Sequence, residues 1–546
     1  MPRLREFSPG ITDRTIYDVF ERARARHGDR PFLHIPGHCA GGLIDLTYAQ
    51  AHDIVERIIA GYQHSGYGKG HHIALLLDNR AEFHLQRLAV NAIGATLVPL
   101  GADLTLEELT YVLRHADVDL LVHLPGREDL AERVAQRIGA LARATPAAVE
   151  ARQVQPAQVP HSRDDLPDQA AIVFTSGSTG LPKGCVLSNE YFLSFGRWYR
   201  DLGGRCTLRP GVERLITPLP LNHVNALAFS SMAMILTGGC VIQLDRFQSS
   251  NWWSTVKESG ATAMHYLGVM PAMLLQLPSH QLERAHALRF GFGGGVQPAH
   301  HWAFEDRFGV PLIEAWAMTE TGGAGTLSTH FGPRHIGSGC IGRPSPRYSE
   351  ARIADEQPTP REGERVGELL VRATGANPRR GFFSGYYKDR QATEAVWQGG
   401  WLHTGDLARC ADDGSFFFVA RRKHIIRRSG ENIAAAEVEA VLETDSRVKG
   451  AAVVPVPDEI REQEVFACIV VDLPPSAELV DDILATAAQR LSYYKLPGYI
   501  AFVDSLPMTA TQKLRYEAVA ELATSLLTSS NSRVFDVRHS KRNYRP

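Results

Sequence analysis

The sequence predicts an α/β fold, in which a large N-terminal domain of parallel βα sheets carries a small β subdomain and precedes a smaller α+β C-terminal domain. Three features predict it. Strand and helix patterns alternate in the first half, β-rich patterns follow residue 330, and a helical pattern then opens a last α+β block. With 546 residues the chain exceeds the length at which one hydrophobic core keeps growing, so more than one domain is expected.

The parallel sheet is predicted from the order of the patterns in the first half. Residues 72–79 form a short apolar run, residues 81–94 have helical spacing, and residues 95–100 are apolar again. Residues 104–116 then look helical and residues 119–125 look like a strand. Repeated βα units of this kind imply a mostly parallel sheet with helices on both faces.

The second half of the chain changes character. The stretches 358–375 and 414–428 have β-rich patterns and predict the small β subdomain. The segment 434–444, AAAEVEAVLET, has helical spacing and begins the last block.

We place the main domain boundary near Arg421 to Lys423. Residues 1–421 then form the N-terminal domain and residues 422–546 the C-terminal domain. The basic tail RHSKRNYRP at the end of the chain is interpreted as a solvated terminus.

The composition excludes several classes of protein. With 44% hydrophobic and 22% charged residues and a net charge of -2, the chain is globular and no nucleic-acid partner is implied. Seven scattered cysteines without a C-x-x-C pair, and no apolar leader at the start, indicate a cytoplasmic protein. The charge-free run 215–244 contains prolines, asparagines and paired glycines, so no membrane span is expected. A homodimer remains open.

The segment 172–184, IVFTSGSTGLPKG, is the strongest functional signal. A buried strand runs into serine, threonine and glycine and ends at Lys183. Glycines allow close backbone approach, hydroxyl and N–H groups donate to phosphate oxygens, and a lysine adds charge. The Walker pattern G-x-x-x-x-G-K-[ST] cannot be aligned on it, so this is a phosphate loop of another kind.

Further motifs extend along nearly the whole chain in a fixed order. They are PLPLNHVNA (218–226), GFGGGVQP (291–298), EAWAMTETG (314–322), GELLVR (367–372), WLHTGD (401–406), ARRKHIIRRSGENI (420–433) and LPMTATQKLR (506–515). With the phosphate loop, this series resembles the adenylate-forming superfamily of acyl-CoA synthetases, luciferases and peptide-synthetase adenylation domains. Residues 223–226 and 315–320 are similar to carnitine–CoA ligases and fatty-acid transport-type synthetases.

The resemblance implies an acid–CoA ligase of the AMP-forming type. Such an enzyme joins a carboxylate to ATP, giving an acyl-adenylate and pyrophosphate, and then passes the acyl group to coenzyme A. It uses Mg²⁺ as cofactor and ATP and coenzyme A as co-substrates. Because a carboxylate and ATP are both anions, the reaction needs fixed positive charge and a divalent ion.

The resemblance also implies the catalytic and metal-binding residues. Lys513 aligns with the lysine that bridges the carboxylate and the α-phosphate, and His223 aligns with a histidine that gates the acyl or thiol side. Glu320 aligns with a glutamate that helps to hold magnesium, and Thr175 is expected to share that metal site.

ATP is expected to contact several motifs at once. The ATP-binding candidates are Thr175, Ser176, Gly177, Ser178, Thr179, Gly180, Lys183, Gly293, Gly294, Gly295, Glu314, Ala315, Trp316, Thr319, Asp406 and Arg421. Asp406 and Arg421 match residues that hold the ribose hydroxyls, and a carboxylate can accept from a vicinal diol. Trp316 stands where the family has tyrosine, and it either stacks on adenine or belongs to the core.

The acyl and CoA sites are likewise implied by the resemblance. The acyl pocket is expected to be lined by His223, Val224, Asn225, Ala226 and Met318. Lys423 aligns with the hinge about which a mobile C-terminal domain rotates. The face that this rotation presents to coenzyme A is expected to carry Arg427, Gly430 and Glu431.

Rival functions stay open from the sequence. A stand-alone enzyme that loads a carrier protein would use the same ATP residues, and a luciferase-like oxygenase would share the adenylation half. A catalytically silent acyl-nucleotide binder would fit the departures from the family pattern at Trp316, His424 and Gln512. The presence of the catalytic lysine and glutamate favours an enzyme. The acid itself is left open among polar, chain-like, aromatic and polycyclic acids.

Overall fold

The computed structural model describes most of the chain. The described residues are 14–102, 104–139, 141–158, 168–175, 182–358, 365–421, 425–428, 431–458, 461–491, 493–509, 513–529 and 533–544.

The helices of the described residues are short to medium in length. They are α1 (Ile16–His27), α2 (Tyr48–His64), α3 (Ala81–Ala92), α4 (Leu106–His115), α5 (Glu128–Ile138), α6 (Pro146–Glu150), α7 (Asn189–Asp201), α8 (Ser231–Thr237), α9 (Trp252–Glu258), α10 (Val269–Leu275), α11 (Pro298–Phe308), α12 (Arg390–Ala395), α13 (Ala435–Leu442), α14 (Ala477–Ala488) and α15 (Tyr516–Thr528). A π-helical turn, Asn225–Ser230, precedes α8.

The strands of the first half alternate with these helices. They are β1 (Pro31–Ile35), β2 (Ile44–Thr47), β3 (His72–Leu76), β4 (Thr96–Pro99), β5 (Leu120–His123), β6 (Ala142–Ala144), β7 (Gln169–Thr175), β8 (Lys183–Ser188), β9 (Arg214–Thr217), β10 (Cys240–Gln243), β11 (Ala263–Leu267), β12 (Phe290–Gly294) and β13 (Leu312–Trp316).

The strands of the second half follow one another more closely. They are β14 (Leu327–Ser328), β15 (Cys340–Pro344), β16 (Ser349–Pro358), β17 (Arg365–Ala373), β18 (Gly385–Tyr386), β19 (Trp397–Gln398), β20 (Trp401–Cys410), β21 (Phe416–Arg421), β22 (Ile425–Arg428), β23 (Glu431–Ala434), β24 (Val448–Asp458), β25 (Glu462–Val471), β26 (Tyr499–Phe502) and β27 (Val534–Asp536).

Threonine caps explain where three of the helices begin. Thr15, Thr47 and Thr105 each accept a hydrogen bond from the backbone N–H three residues on. The side chain of that third residue accepts from the N–H of the threonine in return. This reciprocal cap satisfies N–H groups that have no partner inside the helix, so the local sequence determines where these helices begin.

The predicted βα order is confirmed in a seven-stranded sheet, with the strand order β18-β8-β7-β4-β3-β5-β6. In it, β3 pairs in parallel with both β4 and β5, and helices α3 and α4 connect them. The phosphate-loop strand β7 joins the same sheet beside β4.

The largest sheet runs in the order β16-β17-β20-β21-β15-β14-β13-β12-β11-β9-β10-β1-β2, with β19 on β20. Within this order, the neighbouring strands β13, β12, β11, β9, β10 and β1 pair in parallel. On the other side of β13, the strands β14, β15, β21, β20, β17 and β16 pair antiparallel. The β-rich stretches between residues 330 and 421 therefore extend the parallel sheet, whereas residues 425–428 belong to another sheet.

A third sheet, ordered β23-β22-β25-β26-β27 with β24 on β25, lies in the last part of the chain. Its core is separate from the rest. Buried apolar side chains between Ile16 and Phe416 pack with one another, and those between Ile426 and Val537 form clusters of their own. The α/β fold class is thus confirmed.

The interpretation of the C-terminal tail as a solvated terminus is wrong. Lys541 is 1% exposed, and its Nζ lies 2.7 Å from Glu464 Oε1 and 2.7 Å from the carbonyl oxygen of Leu496. Glu464 is also bonded to Arg428, whose Nε lies 2.8 Å from the same oxygen. A buried carboxylate requires such partners, and Lys541 comes to it from 77 residues away.

Among the described residues, no helix combines the length and the apolar character needed to span a membrane. The charge-free run 215–244 is divided between β9, the π-helical turn, α8 and β10.

Two fully buried histidines predict an acid-sensitive N-terminal domain. Burial lowers the pKa of His84 and of His265 to about 3. In the unfolded chain both return to about 6.5, so the unfolded state binds more protons below that pH. Stability therefore falls as pH drops from about 6.5 towards 3, and each histidine accounts for about 2 kcal/mol at pH 5.

This loss can be measured by urea unfolding at pH 7 and pH 5. All seven tryptophans lie before residue 422, so their fluorescence reports the N-terminal part. We expect His84→Gln to reduce the difference between the two midpoints. An equal difference in the variant and the parent would contradict the assignment.

Candidate active site

The phosphate loop connects two paired strands. β7 ends at Thr175 and β8 begins at Lys183, and these two residues face each other across the antiparallel pair. Residues 176–181, which include the candidates Ser176, Gly177, Ser178, Thr179 and Gly180, lie outside the described residues. Thr175 Oγ1 lies 3.9 Å from Cys185 Sγ on β8. Sheet pairing therefore fixes both ends of the loop.

Glu320 lies beside this loop and is held by a tyrosine. Glu320 is buried, with 8% of its surface exposed, and its Oε1 accepts a hydrogen bond from the Tyr386 hydroxyl at 2.8 Å. Lys183 Nζ lies 5.0 Å from the centre of the Tyr386 ring and 3.2 Å from Asp389 Oδ2. Burial raises the pKa of Tyr386, so the phenol stays protonated and donates.

Sequence reasoning missed Tyr386 and Asp389. Tyr386 is placed opposite Cys185 because β18 pairs with β8. The available signal was the pair Tyr386–Tyr387 after Gly385, but Glu320 is 66 residues away in the chain. Only the strand pairing brings the phenol to the carboxylate.

The glycine-rich strand end is crowded by backbone. A Cβ on Gly293 would lie 2.2 Å from the carbonyl oxygen of Tyr266, and one on Gly294 would lie 2.5 Å from that of Ala315. Gly295 has a φ of 82°, in the left-handed region that favours glycine. Gly293 and Gly294 therefore leave no room for side chains, and the turn is exposed at Gly295.

The buried Glu314 carboxylate holds that glycine turn by hydrogen bonds. It accepts from the Tyr266 hydroxyl at 2.6 Å, from Gly295 N at 3.0 Å and from Val296 N at 3.4 Å. Burial raises the pKa of Glu314. The side chain is thus occupied within the protein, and its contribution to the site is the shape of the turn.

Asp406 and Arg421 face each other on neighbouring strands. Asp406 is 2% exposed, and its Oδ1 lies 3.0 Å from Arg421 Nε, while the Arg421 side chain is 44% exposed. Trp316 Nε1 donates to Asp406 Oδ2 at 2.9 Å. Burial raises the pKa of Asp406, and the charge of Arg421 opposes that rise.

Trp316 itself is buried, with 7% of its surface exposed. It therefore belongs to the core and orients the Asp406 carboxylate through its indole N–H. Thr319 and Ala315 are half-buried, and the carbonyl oxygen of Thr319 accepts from the Tyr191 hydroxyl at 2.8 Å.

Lys513 reaches the same cleft from the last part of the chain. Surrounding protein and the positive charge of Arg421 lower the pKa of Lys513. The pKa of His223 is lowered to about 4, chiefly because protein displaces water from the ring and further because Lys513 is charged. Both residues are exposed, and the solvent-facing space that they share with Arg421 is here called the cleft. Lys513, Arg421 and His223 are therefore neighbours.

Backbone contacts hold the Lys513 loop. Lys513 N donates to Thr509 Oγ1 at 3.0 Å, and Thr509 N donates to the carbonyl oxygen of Lys513 at 2.7 Å. Gln512, where the family pattern has glycine, lies outside the described residues.

The acyl-pocket candidates gather near the π-helical turn. Ala226 is buried, Asn225 and Val224 are half-buried, and Met318 is half-buried against the same core. Asn225 Oδ1 lies 2.7 Å from His265 Nδ1 on β11. Sequence reasoning missed His265 because a histidine within a buried strand pattern gives no local signal of its partners.

The CoA-side candidates lie on a hairpin of the third sheet. Arg427 is on β22 opposite Asn432, and Glu431 begins β23 opposite Arg428. Gly430, the hinge candidate Lys423 and His424 lie outside the described residues.

Curated relatives align along most of the chain. A sulfoacetate–CoA ligase from Cupriavidus necator is 30% identical over 520 residues, which cover 93% of this chain and 97% of the relative. A crotonobetaine/carnitine–CoA ligase from Escherichia coli is 29% identical over 495 residues, covering 87% and 93%. ATP-bound MatB from Rhodopseudomonas palustris shares the fold, with a TM-score of 0.76 at 23% identity and coverage of 93% and 98%.

Family models match both parts of the chain. The AMP-binding enzyme model matches residues 20–387, and the model of the AMP-binding enzyme C-terminal domain matches residues 437–513. The first match ends one residue after Tyr386, so it includes the phosphate loop, the glycine-rich turn and Glu320, while the second ends at Lys513. The chain therefore belongs to the AMP-binding enzyme family.

Proposed function

We propose that this AMP-binding enzyme is an acid–CoA ligase of the AMP-forming type. A carboxylate oxygen attacks the α-phosphorus of ATP, the bond to the β-phosphate breaks, and pyrophosphate leaves. The sulfur of coenzyme A then attacks the acyl carbon, the bond to AMP breaks, and the thiol proton passes to solvent. The CoA ligases that align over nearly the full length of the chain support this proposal.

The position of Lys513 carries the proposal. It lies in one cleft with Arg421 and His223, although 92 residues separate the lysine from the arginine in sequence. Two neighbouring cations repel each other, and bound anions relieve that repulsion. A carboxylate and an α-phosphate are such anions, so Lys513 would stabilise the charge that develops between them.

Magnesium fits the residues beside the phosphate loop. Mg²⁺ is bound by oxygen donors, commonly one or two protein groups together with substrate phosphates. The Glu320 carboxylate, held in place by Tyr386, and the Thr175 hydroxyl offer such oxygens. When bound with ATP, the ion supplies positive charge that offsets repulsion between the phosphates and the acid.

We assign the ribose to the Asp406–Arg421 pair and the adenine side to the β12 turn. Arg421 is half-exposed beside Asp406, and the turn is exposed at Gly295, where a Cβ would meet no other atom within 4 Å. Trp316 then acts through Asp406 instead of stacking on adenine.

We further propose the domain boundary at residues 421 and 422, with the hinge at Lys423. The separate hydrophobic clusters on either side support it. Rotation of residues 422–546 would withdraw Lys513 and present the hairpin with Arg427, Gly430 and Glu431 to coenzyme A. The free cysteines fit a reducing compartment such as the cytoplasm.

The test is release of pyrophosphate and AMP with ATP, magnesium and a panel of carboxylic acids, with and without coenzyme A. We expect acid-dependent pyrophosphate release and an acyl-CoA product. Acid-dependent release that gives no acyl-CoA would contradict the thioester step and favour another acyl acceptor.

Lys513→Ala is expected to slow adenylate formation at least a hundredfold, because it removes the charge at the reacting oxygens. Thiolation of a supplied acyl-adenylate should be spared. Single-turnover assays of the two half-reactions separate these steps.

Lys449→Ala is the matched control, since Lys449 is half-exposed and lies 3.5 Å from Asp472, in the same part of the chain but outside the cleft. Equal loss of both half-reactions in Lys513→Ala would rule out the rotation assignment.

Tyr386→Phe tests the Glu320 site. It removes a hydrogen bond to a carboxylate, worth about 1.5–3 kcal/mol, and we expect adenylation to slow by about ten- to a hundredfold. The Mg²⁺ concentration needed for half-maximal adenylation should rise in the same variant. Tyr387→Phe is the control, because the Tyr387 hydroxyl lies 2.9 Å from Asp117. Similar kinetics in both variants would show that Tyr386 does not serve Glu320.

A further inference from the structure

The π-helical turn places a half-buried amide between the cleft and a buried histidine. Asn225 Oδ1 lies 2.7 Å from His265 Nδ1, and Ser230 Oγ lies 2.8 Å from the same nitrogen. The other ring nitrogen, Nε2, lies 3.2 Å from the Tyr199 hydroxyl oxygen. His265 and Tyr199 are both 0% exposed, so these contacts are made without water.

The contacts determine which ring nitrogen carries the proton. An amide oxygen only accepts, so His265 Nδ1 donates to Asn225 Oδ1. Burial lowers the pKa of His265 to about 3, so the ring is neutral at pH 7 and has a single N–H. Nε2 therefore accepts from the Tyr199 hydroxyl. Ser230 Oγ shares the Nδ1 proton and donates to the carbonyl oxygen of Asn225 at 3.3 Å.

This arrangement turns the amide NH₂ of Asn225 away from the histidine. In the part of the chain that the structure describes, no acceptor takes a hydrogen bond from that NH₂. Asn225 keeps accessible surface and follows His223, a wall residue of the cleft, by two positions. The free donor is therefore available to a molecule in the acyl side of the cleft.

Aromatic rings fill the space behind the histidine. The His265 ring stacks on Tyr199, with centroids 5.6 Å apart, and lies 5.4 Å from Phe292. Phe229 continues the cluster at 5.7 Å from Phe292 and 5.7 Å from Trp198. These rings pack against His265 on the side away from Asn225 and hold the imidazole in place.

We propose that Asn225 selects carboxylic acids that carry an oxygen acceptor on the acyl chain, and that His265 positions its amide. The acceptor is a hydroxyl, an oxo group or a second acid group. The inference rests on the proposed acid–CoA ligase function. An acid without an acceptor would displace water from the NH₂ and leave it unpaired, which costs binding energy.

The test compares acids in matched pairs. kcat/KM for pyrophosphate release is measured with butanoic and 3-hydroxybutanoic acid, with butanoic and succinic acid, and with benzoic and 4-hydroxybenzoic acid. We expect the parent enzyme to prefer the acceptor-bearing member of at least one pair by about tenfold. Asn225→Leu should bring that ratio close to one while turnover of the apolar member continues. A preference for the hydroxy acids would indicate a neutral acceptor, and a preference for succinic acid would indicate an anionic one.

Two further variants separate positioning from general damage. His265→Leu should lower the same ratio, and adding it to Asn225→Leu should lower it no further, because both act on one hydrogen bond. Asn222→Leu, the neighbouring asparagine on the other side of His223, should keep the parent ratio. Asn225→Ala, which also removes the donor, replaces the leucine variant if that protein does not fold.

The outcomes are separable. An unchanged ratio in the Asn225 variants, a preference for the apolar member of every pair, or additive losses from Asn225 and His265 would overturn the inference while the ligase proposal stands. Absence of acid-dependent pyrophosphate release with any acid overturns the ligase proposal first, and this inference with it.

Discussion

The site depends on holding positive charges together in a cleft. Surrounding protein lowers the pKa of Lys513 and of His223, and nearby positive charge lowers both further, that of Arg421 at Lys513 and that of Lys513 at His223. Asp406 offsets part of this charge through its 3.0 Å approach to Arg421. Two anions bound beside these cations would be attracted to them and would offset their mutual repulsion. The electrostatic arrangement is therefore complementary to a carboxylate and a phosphate in contact.

The framework around these charges is assembled by groups that do not face the ligand. Glu314 uses its carboxylate to shape the glycine turn, and Trp316 uses its indole N–H to orient Asp406. Tyr386 does the same for Glu320. Glu314 and Trp316 are buried and Tyr386 is half-buried, and each makes its hydrogen bond within the protein, so the geometry of the site is fixed before substrate arrives.

The acyl side follows the same principle with neutral groups. His265, Tyr199 and Ser230 fix the orientation of one amide, and aromatic rings close the space behind it. In the proposed site, charged side chains contact the nucleotide, and neutral hydrogen-bonding groups contact the acyl chain. This division suits an enzyme in which the reacting groups are common to many acids and the rest of the acid varies.

The sequence by itself determined the βα order of the first half, the strand before the phosphate loop and the identity of Lys513, Glu320 and Arg421 as candidates, because these depend on local periodicity and contiguous motifs. Only the tertiary structure decided that Trp316 is a core residue, that the tail buries Lys541 on Glu464, and that Tyr386 and His265 serve the site. Each of these contacts joins residues 40 or more positions apart. Pairing between strands and closure of the core create them, and no local pattern encodes such distances.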